Sequence, residues 1–252
     1  MKKKLFAIVG KPITHSLSPV LHNHWFSKYN IEADYSLLHL DEKELENVVQ
    51  KIRQGELCGA NITLPYKQKI IPFVDRLVND AKSTNSVNTI FLDDTNSIVG
   101  ENTDVFGLQA AYLKEIRTEK HKSALVIGAG GVSPSVIFSL QKSKMQKITV
   151  INRTYEKSLF LKNSFKFINI LEWKYLKEEI SKFDIIINAT SLGLKNEDDF
   201  DFNFDHVKES LIYIDTIYNP LETKTVKFLK QNNIKTFNGL DMFIYQGQKS
   251  FY

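Results

Sequence analysis

The alternation of short apolar runs with helical stretches restricts what this 252-residue chain can fold into. The runs LFAIVG, LVIG, TVIN and IIIN are rich in β-branched residues and carry very few polar ones. Runs of this kind are typical of strands in a parallel sheet that helices cover on both faces. The pattern therefore predicts an α/β protein.

The N-terminal part is predicted to form one βαβαβ unit followed by a hairpin. The expected elements are strands at 5–10, near 34–40 and up to Thr63, with helices after Ser18 and after Asp41. VNTIFL (87–92) and SIVG (97–100) are separated by DDTN, which predicts a hairpin. Because a hairpin adds antiparallel strands, we expect a mixed sheet.

A second alternating set follows an amphipathic helix near 105–116. SALVIGAGG, KITVINRT, DIIINATS, LIYIDTIY and KTFNG each supply one strand, and helical stretches separate them. This part is predicted to be a doubly wound domain with a parallel sheet. We place the domain boundary near Asp104, and NEDDFDFNFD (196–205) is predicted to be a solvated loop.

The segment NITLPYKQK (61–69) places a lysine close to the end of a predicted strand. Pro65 suits the first turn of a helix, where its missing N–H costs nothing, so a helix is predicted to begin here. In α/β proteins, ligands bind outside the carboxyl ends of the strands. Asn61, Thr63 and Lys67 are therefore candidates for holding a small molecule.

Composition excludes several classes of partner. The net charge is +4, and the lysines are scattered rather than gathered in one stripe, so we expect no nucleic-acid partner. No apolar run approaches the roughly 18 residues of a membrane span. Cys58 is the only cysteine and cannot form an internal disulfide, which favours a reducing compartment and a cytoplasmic location.

The segment VIGAGGVS predicts a dinucleotide-binding turn. Its glycines Gly128, Gly130 and Gly131 follow an apolar strand and precede a helical stretch, with Ala129 and Val132 between and after them. Glycines let the backbone turn tightly and let a pyrophosphate approach the amides of a helix N-terminus. Ser133 stands in place of the third glycine of GxGxxG and is small enough for close packing.

The end of the next strand favours NADP over NAD. An NAD-binding chain usually places an acid there, whereas this chain has Asn152, Arg153 and Thr154, with Lys157 one turn later. A guanidinium can grip a 2′-phosphate in bidentate fashion, while an acid would repel it. The chain uses arginine only four times against 29 lysines, so an arginine at this place is a strong signal.

Further segments rich in small polar residues lie near predicted strand ends. They are GKPITHSLSPVLHN (10–23), GANITLPYK (59–67), SVNT (86–89), GENTDVFG (100–107), NATSLG (188–193), DTIYNPLET (215–223) and NGLDMFIYQG (238–247). In this combination and order, the chain closely resembles the shikimate dehydrogenase family of oxidoreductases, from Ile8 to about Gly247. The resemblance implies an N-terminal substrate domain and an NADP domain, with a cleft between them.

The resemblance also implies roles for individual residues. The domains would be 1–104 joined by 238–252 for the substrate, and 105–237 for NADP. The catalytic pair would be Lys67 and Asp104. The substrate-binding residues would be Ser16 and Ser18 for the carboxylate, Asn61, Thr63, Asn88, Asp104 and Gln246 for the ring hydroxyls, and Tyr218 near the carboxylate. The cofactor residues would be Gly128, Ala129, Gly130, Gly131, Val132, Asn152, Arg153, Thr154, Lys157, Thr190 and Gly239.

The implied activity is the reversible reduction of 3-dehydroshikimate to shikimate with NADPH, in the route to chorismate and aromatic amino acids. A lysine beside the ketone oxygen stabilises the developing charge, and either Lys67 or Asp104 could make the proton transfer. A quinate or related dehydrogenase and a non-catalytic NADP(H)-binding sensor are the alternatives. A sensor would be expected to lack Lys67 or Asp104, and both are present.

Three further expectations concern metals, assembly and departures from the family pattern. His15, His22 and His24 lack the spacing of a metal site, so we expect structural histidines and no metal. A homodimer is left open. Pro134 fits the family's glycine turn only if it lies in the first turn of the next helix. The chain ends at Tyr252, where relatives usually continue with a further helix.

Overall fold

The computed structural model describes residues 3–113, 116, 122–195, 199–200 and 204–252. These residues divide into two compact units. The first unit runs to Val105 and also includes Gln246–Tyr252, and the second unit is Phe106–Tyr245. In the described part of the chain, no helix is long and apolar enough to cross a membrane.

The first unit contains a six-stranded sheet. Its strands are β1 (Lys4–Gly10), β2 (Ala33–His39), β3 (Gly59–Ile62), β4 (Arg76–Leu77), β5 (Thr89–Leu92) and β6 (Ile98–Glu101). Its helices are α1 (Ser18–Lys28), α2 (Leu45–Arg53), α3 (Asp80–Thr84) and the beginning of α4 (Asp104–Ala111). Short 3₁₀ turns occur at Glu42–Glu44 and Ile71–Phe73.

The strand order in this sheet is β2-β1-β3-β5-β6-β4. β1 pairs in parallel with β2 and β3, as the βαβαβ prediction requires. β5 pairs antiparallel with β6, its partner in the predicted hairpin, and it also pairs antiparallel with β3. The predicted mixed sheet is confirmed.

Helix α2 shows why the helices cover the sheet. Leu45, Val48, Val49 and Ile52 recur at helical spacing and are all buried in one core cluster with strand residues such as Ile90. Asp41 and Glu44 form a capping box, although the first turn is 3₁₀ and the α-helix begins at Leu45. Burial of this apolar face, rather than helix propensity, fixes the helix to the sheet.

The prediction of a helix starting at Pro65 is wrong. Residues 64–70 form consecutive turns, in which Tyr66 N donates to Thr63 O at 2.9 Å and Ile70 N donates to Tyr66 O at 3.0 Å. Tyr66 is buried, and its hydroxyl donates to Leu40 O at 2.7 Å. This anchor draws the segment back onto the sheet, so the chain does not continue outward as a helix.

The second unit contains a parallel six-stranded sheet. Its strands are β7 (Ser123–Ile127), β8 (Lys147–Asn152), β9 (Asn169–Glu172), β10 (Ile185–Asn188), β11 (Ile212–Asp215) and β12 (Lys235–Phe237). Its helices are the rest of α4, then α5 (Ser133–Lys142), α6 (Tyr155–Ser164), α7 (Leu176–Glu179), α8 (Lys224–Gln231) and the first part of α9 (Leu240–Phe251).

The strand order β12-β11-β10-β7-β8-β9 reverses at β7. A ligand of a doubly wound sheet binds outside the carboxyl ends of the strands at such a switch point, and the glycine turn follows β7 directly. Residues 124–127 are all buried, as expected for a strand covered on both faces. The predicted doubly wound parallel domain is confirmed.

One strand of the second unit was not predicted, and one predicted loop lies mostly outside the described residues. The edge strand β9 was not predicted, because its four residues are only partly buried and show no long apolar run. Most of the predicted loop 196–205 lies outside the described residues.

Candidate active site

The Lys67 ammonium and the Asp104 carboxylate form a nearly buried ion pair in the first unit. Lys67 Nζ donates to Asp104 Oδ2 at 2.6 Å, and the two side chains are 12% and 5% exposed. Lys67 lies on the turn after β3, where Val87 N donates to Lys67 O at 2.8 Å, and Asp104 begins α4. An ammonium has three donors, so Lys67 can also serve a ligand while Asp104 orients it.

Asn88 holds the other oxygen of the same carboxylate. Its Nδ2 donates to Asp104 Oδ1 at 2.9 Å and lies 3.3 Å from Gln246 Oε1. Its Oδ1 accepts a hydrogen bond from Thr103 N at 2.8 Å, which fixes the orientation of the amide. One hydrogen-bonded group therefore joins four residues that were predicted from separate segments: Lys67, Asp104, Asn88 and Gln246.

The serine loop before α1 forms a second group in this unit. Ser16 Oγ donates to Ser18 Oγ at 3.2 Å and accepts from Ser18 N at 3.3 Å. Ser18 lies at the N-terminus of α1, where backbone N–H groups and hydroxyls favour an anion. This arrangement suits a carboxylate.

Gly10 brings the serine loop close to Thr63. A Cβ at Gly10 would lie 2.5 Å from both Thr63 Cγ2 and Ile13 Cγ2, closer than side-chain contacts allow. Thr63 N also donates to Val9 O at 2.9 Å. The predicted carboxylate-binding loop and the predicted hydroxyl-binding Thr63 therefore lie next to each other.

Asn61 makes its hydrogen bonds with other protein groups. Its Oδ1 accepts from Tyr35 Oη at 2.6 Å, and its Nδ2 lies 2.8 Å from Ser250 Oγ, 3.0 Å from Thr89 Oγ1 and 3.1 Å from Asn88 O. The residue is 9% exposed. Its amide thus connects β3 with β2, with β5 and with the end of α9.

The glycine turn of the second unit has the backbone geometry of a phosphate cradle. Gly128 adopts φ +116°, and a Cβ there would lie 2.8 Å from Ala189 O, so only glycine fits. Gly130 N donates to Ser133 Oγ at 3.0 Å, which shapes the turn from the helix side. Pro134 lies in the first turn of α5, as the sequence required. The turn fits a dinucleotide.

The residues after β8 are placed at the rim of this turn. Asn152 Oδ1 accepts from Ala129 N at 3.2 Å, and Asn152 Nδ2 donates to Thr154 O at 2.8 Å. Arg153 and Lys157 are exposed. Asn152 therefore connects the end of β8 to the glycine turn. The two cations, Arg153 and Lys157, follow this connection in the chain.

Thr190 belongs to a compact turn after β10. Its N and Oγ1 donate to Asn188 Oδ1 at 3.0 and 2.7 Å, and its Oγ1 accepts from Leu192 N at 3.0 Å. Gly239 N donates to Ile217 O at 2.8 Å, and a Cβ at Gly239 would lie 2.3 Å from Thr216 O. Both predicted cofactor residues thus lie in loops with defined backbone positions.

Tyr218 was predicted as a substrate residue but lies in the second unit. Its ring stacks on Phe243, with ring centroids 4.4 Å apart and an interplanar angle of 19°. The other predicted substrate residues are all in the first unit.

Asp215 is a polar residue of this region that the sequence analysis did not single out. It is fully buried and accepts hydrogen bonds from Asn188 Nδ2, Ile217 N and Thr223 Oγ1 at 3.2, 3.0 and 2.9 Å. Burial raises the pKa of this carboxyl to about 7. The sequence did carry one signal for Asp215. Neighbouring apolar strands end in the polar residues Asn188 and Asp215, and these two residues are paired in register.

The histidines form no metal site in the part of the chain described here. Among the described residues, no group of three or more His, Cys, Asp or Glu side chains could hold a metal ion. His22 stacks on Tyr35 with ring centroids 4.3 Å apart, and burial lowers its pKa to about 4. His22 is therefore a neutral ring of the core near neutral pH.

Comparison with known proteins places these features in one family. The model of the shikimate dehydrogenase substrate binding domain matches residues 8–90, and the shikimate / quinate 5-dehydrogenase model matches residues 111–236. Shikimate dehydrogenase (NADP(+)) of Pelagibacter ubique is 45% identical over 250 residues, which cover 99% of this chain and 92% of that relative.

Solved structures agree with this comparison. The crystal structure of shikimate dehydrogenase from Aquifex aeolicus has a TM-score of 0.90 at 35% identity and covers 99% of this chain and 91% of its own. Shikimate 5-dehydrogenase from Thermus thermophilus, solved in complex with NADP(H) and shikimate, has a TM-score of 0.85 at 28% identity. That match covers 98% of this chain and 92% of the Thermus chain. The family resemblance seen in the sequence is confirmed, and the chain belongs to the shikimate dehydrogenase family.

Proposed function

We propose that this chain catalyses the NADP-dependent, reversible reduction of 3-dehydroshikimate to shikimate. The observation that carries the proposal is the nearly buried Lys67–Asp104 pair, whose carboxylate is also held by Asn88. The Pelagibacter relative is named for NADP(+), and the Thermus neighbour was solved with NADP(H) and shikimate. The chain has the residues that this chemistry needs.

The first unit supplies the proton and the charge stabilisation. NADPH, when bound, supplies the hydride that reduces the ketone carbon. The carbonyl oxygen then gains negative charge, which the Lys67 ammonium stabilises from a site with little solvent. A proton from the Lys67–Asp104 pair completes the alcohol, and the pair recovers a proton from solvent. General acid–base help of this kind is typically worth about 10²–10⁴ in rate.

Small polar side chains hold the substrate in this proposal. Ser16 and Ser18 bind the carboxylate at the N-terminus of α1. The ring hydroxyls are bound by Thr63, Asn88, Asp104 and Gln246. Hydroxyl, amide and carboxylate side chains together can donate to a substrate hydroxyl and accept from it. Asn61 was also predicted to bind a hydroxyl, and Tyr218 to lie near the carboxylate.

The second unit binds NADP in this proposal. The turn Gly128–Val132 would receive the pyrophosphate, and its φ and close backbone approach support this role. Arg153 would grip the 2′-phosphate, with Asn152, Thr154 and Lys157 around it. Thr190 and Gly239 would border the rest of the cofactor.

Several finer points remain our proposals. We assign the substrate to residues 1–104 with 238–252 and NADP to residues 105–237. A cytoplasmic location stays a prediction from the sequence and the family resemblance. The formation of a homodimer is left open.

The test is an NADPH-oxidation assay with 3-dehydroshikimate, run beside quinate with NAD⁺. We expect turnover of 3-dehydroshikimate with NADPH and little oxidation of quinate. Quinate turnover with NAD⁺ at a comparable kcat/KM would favour the quinate alternative. No turnover of either pair, together with measurable NADPH binding, would favour the sensor alternative.

A further inference from the structure

The last two turns of α9 present two polar side chains to the sheet of the first unit. Gln246 and Ser250 are four residues apart and so lie on the same face of the helix. Gln246 Oε1 lies 3.3 Å from Asn88 Nδ2, and Ser250 Oγ lies 2.8 Å from Asn61 Nδ2. Each of the two side chains thus contacts its own asparagine.

The two asparagines are themselves connected. Asn61 Nδ2 lies 3.1 Å from Asn88 O, so the contacts form a closed circuit from Gln246 through Asn88 and Asn61 to Ser250. One turn of α9 closes this circuit. Thr89 Oγ1 also lies 3.4 Å from Ser250 Oγ and 3.0 Å from Asn61 Nδ2.

Two neighbours fix which way the Asn61 amide points. The Asn88 carbonyl oxygen can only accept, so it accepts from Asn61 Nδ2 at 3.1 Å, and the Tyr35 hydroxyl then donates to Asn61 Oδ1 at 2.6 Å. The amide nitrogen therefore faces Ser250. The Tyr35 ring is buried and stacked on His22. The donor that meets Ser250 therefore has a defined position before any ligand binds.

Phe251 anchors the same helical turn through apolar contacts. Its ring lies 5.3 Å from Trp25, 5.5 Å from Phe26 and 6.2 Å from His22, measured between centroids. These contacts hold the end of α9 against α1. The hydrogen bond at Ser250 adds a directional contact on the face of the helix that also carries Gln246.

We propose that Asn61 and Ser250 form a latch that sets the rotation of the end of α9 and so holds Gln246 beside Asn88. Both are then positioning residues that act through Gln246, and neither needs to touch the substrate. This inference rests on the proposed function, in which Gln246 binds a ring hydroxyl. It gives Asn61 a role different from the hydroxyl-binding one predicted from the sequence.

The main test is Ser250→Ala, with steady-state kinetics for shikimate at saturating NADP⁺. Loss of one neutral hydrogen bond is expected to raise KM for shikimate about 2–10-fold. We expect kcat to change less than twofold and KM for NADP⁺ to stay constant. Ser250→Thr keeps a hydroxyl and should restore most of the affinity. Gln248→Ala, an exposed residue of the same turn, is the matched control and should have no effect.

A double-mutant cycle decides whether Ser250 acts through Gln246. If it does, Ser250→Ala should add less than twofold to KM in a Gln246→Ala background. Full additivity, or an unchanged KM in the single variant, would overturn the latch. Asn61→Ala combined with Ser250→Ala gives the parallel cycle, and additivity there would assign Asn61 to direct substrate binding. If the unaltered enzyme failed to oxidise shikimate, the proposed function itself would be at fault.

Discussion

Lys67 Nζ lies 2.6 Å from Asp104 Oδ2, although 37 positions separate the two residues in the chain. The pair is nearly withdrawn from solvent, and Asn88 Nδ2 occupies the second carboxylate oxygen. Such a pair costs free energy to desolvate and is weak evidence for stability. Its place among small polar side chains points to catalysis.

Replacement of the lysine should affect turnover more than binding. We expect Lys67→Ala to lower kcat by about 10²–10⁴, because the ammonium acts mainly on charge that develops in the transition state. KM for shikimate should change much less. Steady-state kinetics measure both constants. Lys69→Ala removes an exposed lysine paired with Glu42 and should leave both unchanged. A nearly normal kcat for Lys67→Ala would remove Lys67 from the mechanism.

The carboxylate partner should affect both constants. Asp104→Asn keeps an oxygen for Asn88 but removes the negative charge beside Lys67. We expect kcat to fall and KM for shikimate to rise, because Asp104 also binds a ground-state hydroxyl in the proposed function. The kinetics should be compared with thermal unfolding, since an unpaired buried ammonium also destabilises the fold. An unchanged KM would contradict the binding role.

Arg153 gives the sharpest test of cofactor preference. We expect Arg153→Ala to lower kcat/KM for NADPH by about 10–150-fold, a loss of roughly 1.5–3 kcal/mol for a charge-assisted contact. The weak activity with NADH should be nearly unchanged, because NADH has no 2′-phosphate. Lys157→Ala, which removes a flexible point charge, should lose less. Equal losses with NADPH and NADH would mean that Arg153 supports the fold or stacks on adenine.

The buried carboxyl of Asp215 predicts a pH dependence of stability. Burial raises its pKa from 3.8 to about 7, so the folded state holds its proton more tightly than the unfolded state. The contribution of Asp215 to the free energy of unfolding is favourable at low pH. It is lost as the pH rises from about 4 to 7, by up to roughly 4 kcal/mol in total. Urea unfolding of the wild type and Asp215→Asn across pH 5–8 measures this. The difference in unfolding free energy between the two proteins should change with pH in that range. A pH-independent difference would show that Asp215 does not titrate there.

The general fold was predictable because it depends on local patterns. Apolar β-branched runs indicated the parallel strands, DDTN marked the hairpin, and Pro134 matched the start of α5. The turn after Thr63 was not predicted correctly, since the buried Tyr66 and its bond to Leu40 O are tertiary contacts. Edge strand β9 is short and half exposed, so its pattern is weak.

The site was predictable in its members and not in its connections. The family motifs identified Asn61, Asn88 and Gln246 as candidate substrate residues. Two of the partners of Asn61, Tyr35 and Ser250, are 26 and 189 positions away and belong to no motif. Asp215 was missed because its role depends on three donors that only the folded chain brings together.

The tie made by Asn152 restricts how coenzyme preference could be redesigned in this enzyme. Its oxygen holds the glycine turn at Ala129 N, and its nitrogen holds Thr154 O. An aspartate at 152 would keep the first bond but repel the Thr154 carbonyl, so a change meant to alter selectivity would also loosen the turn itself. Arg153 contributes an exposed head group to the same rim. An NADH-preferring variant is therefore best built by exchanging Arg153 while leaving Asn152 unchanged.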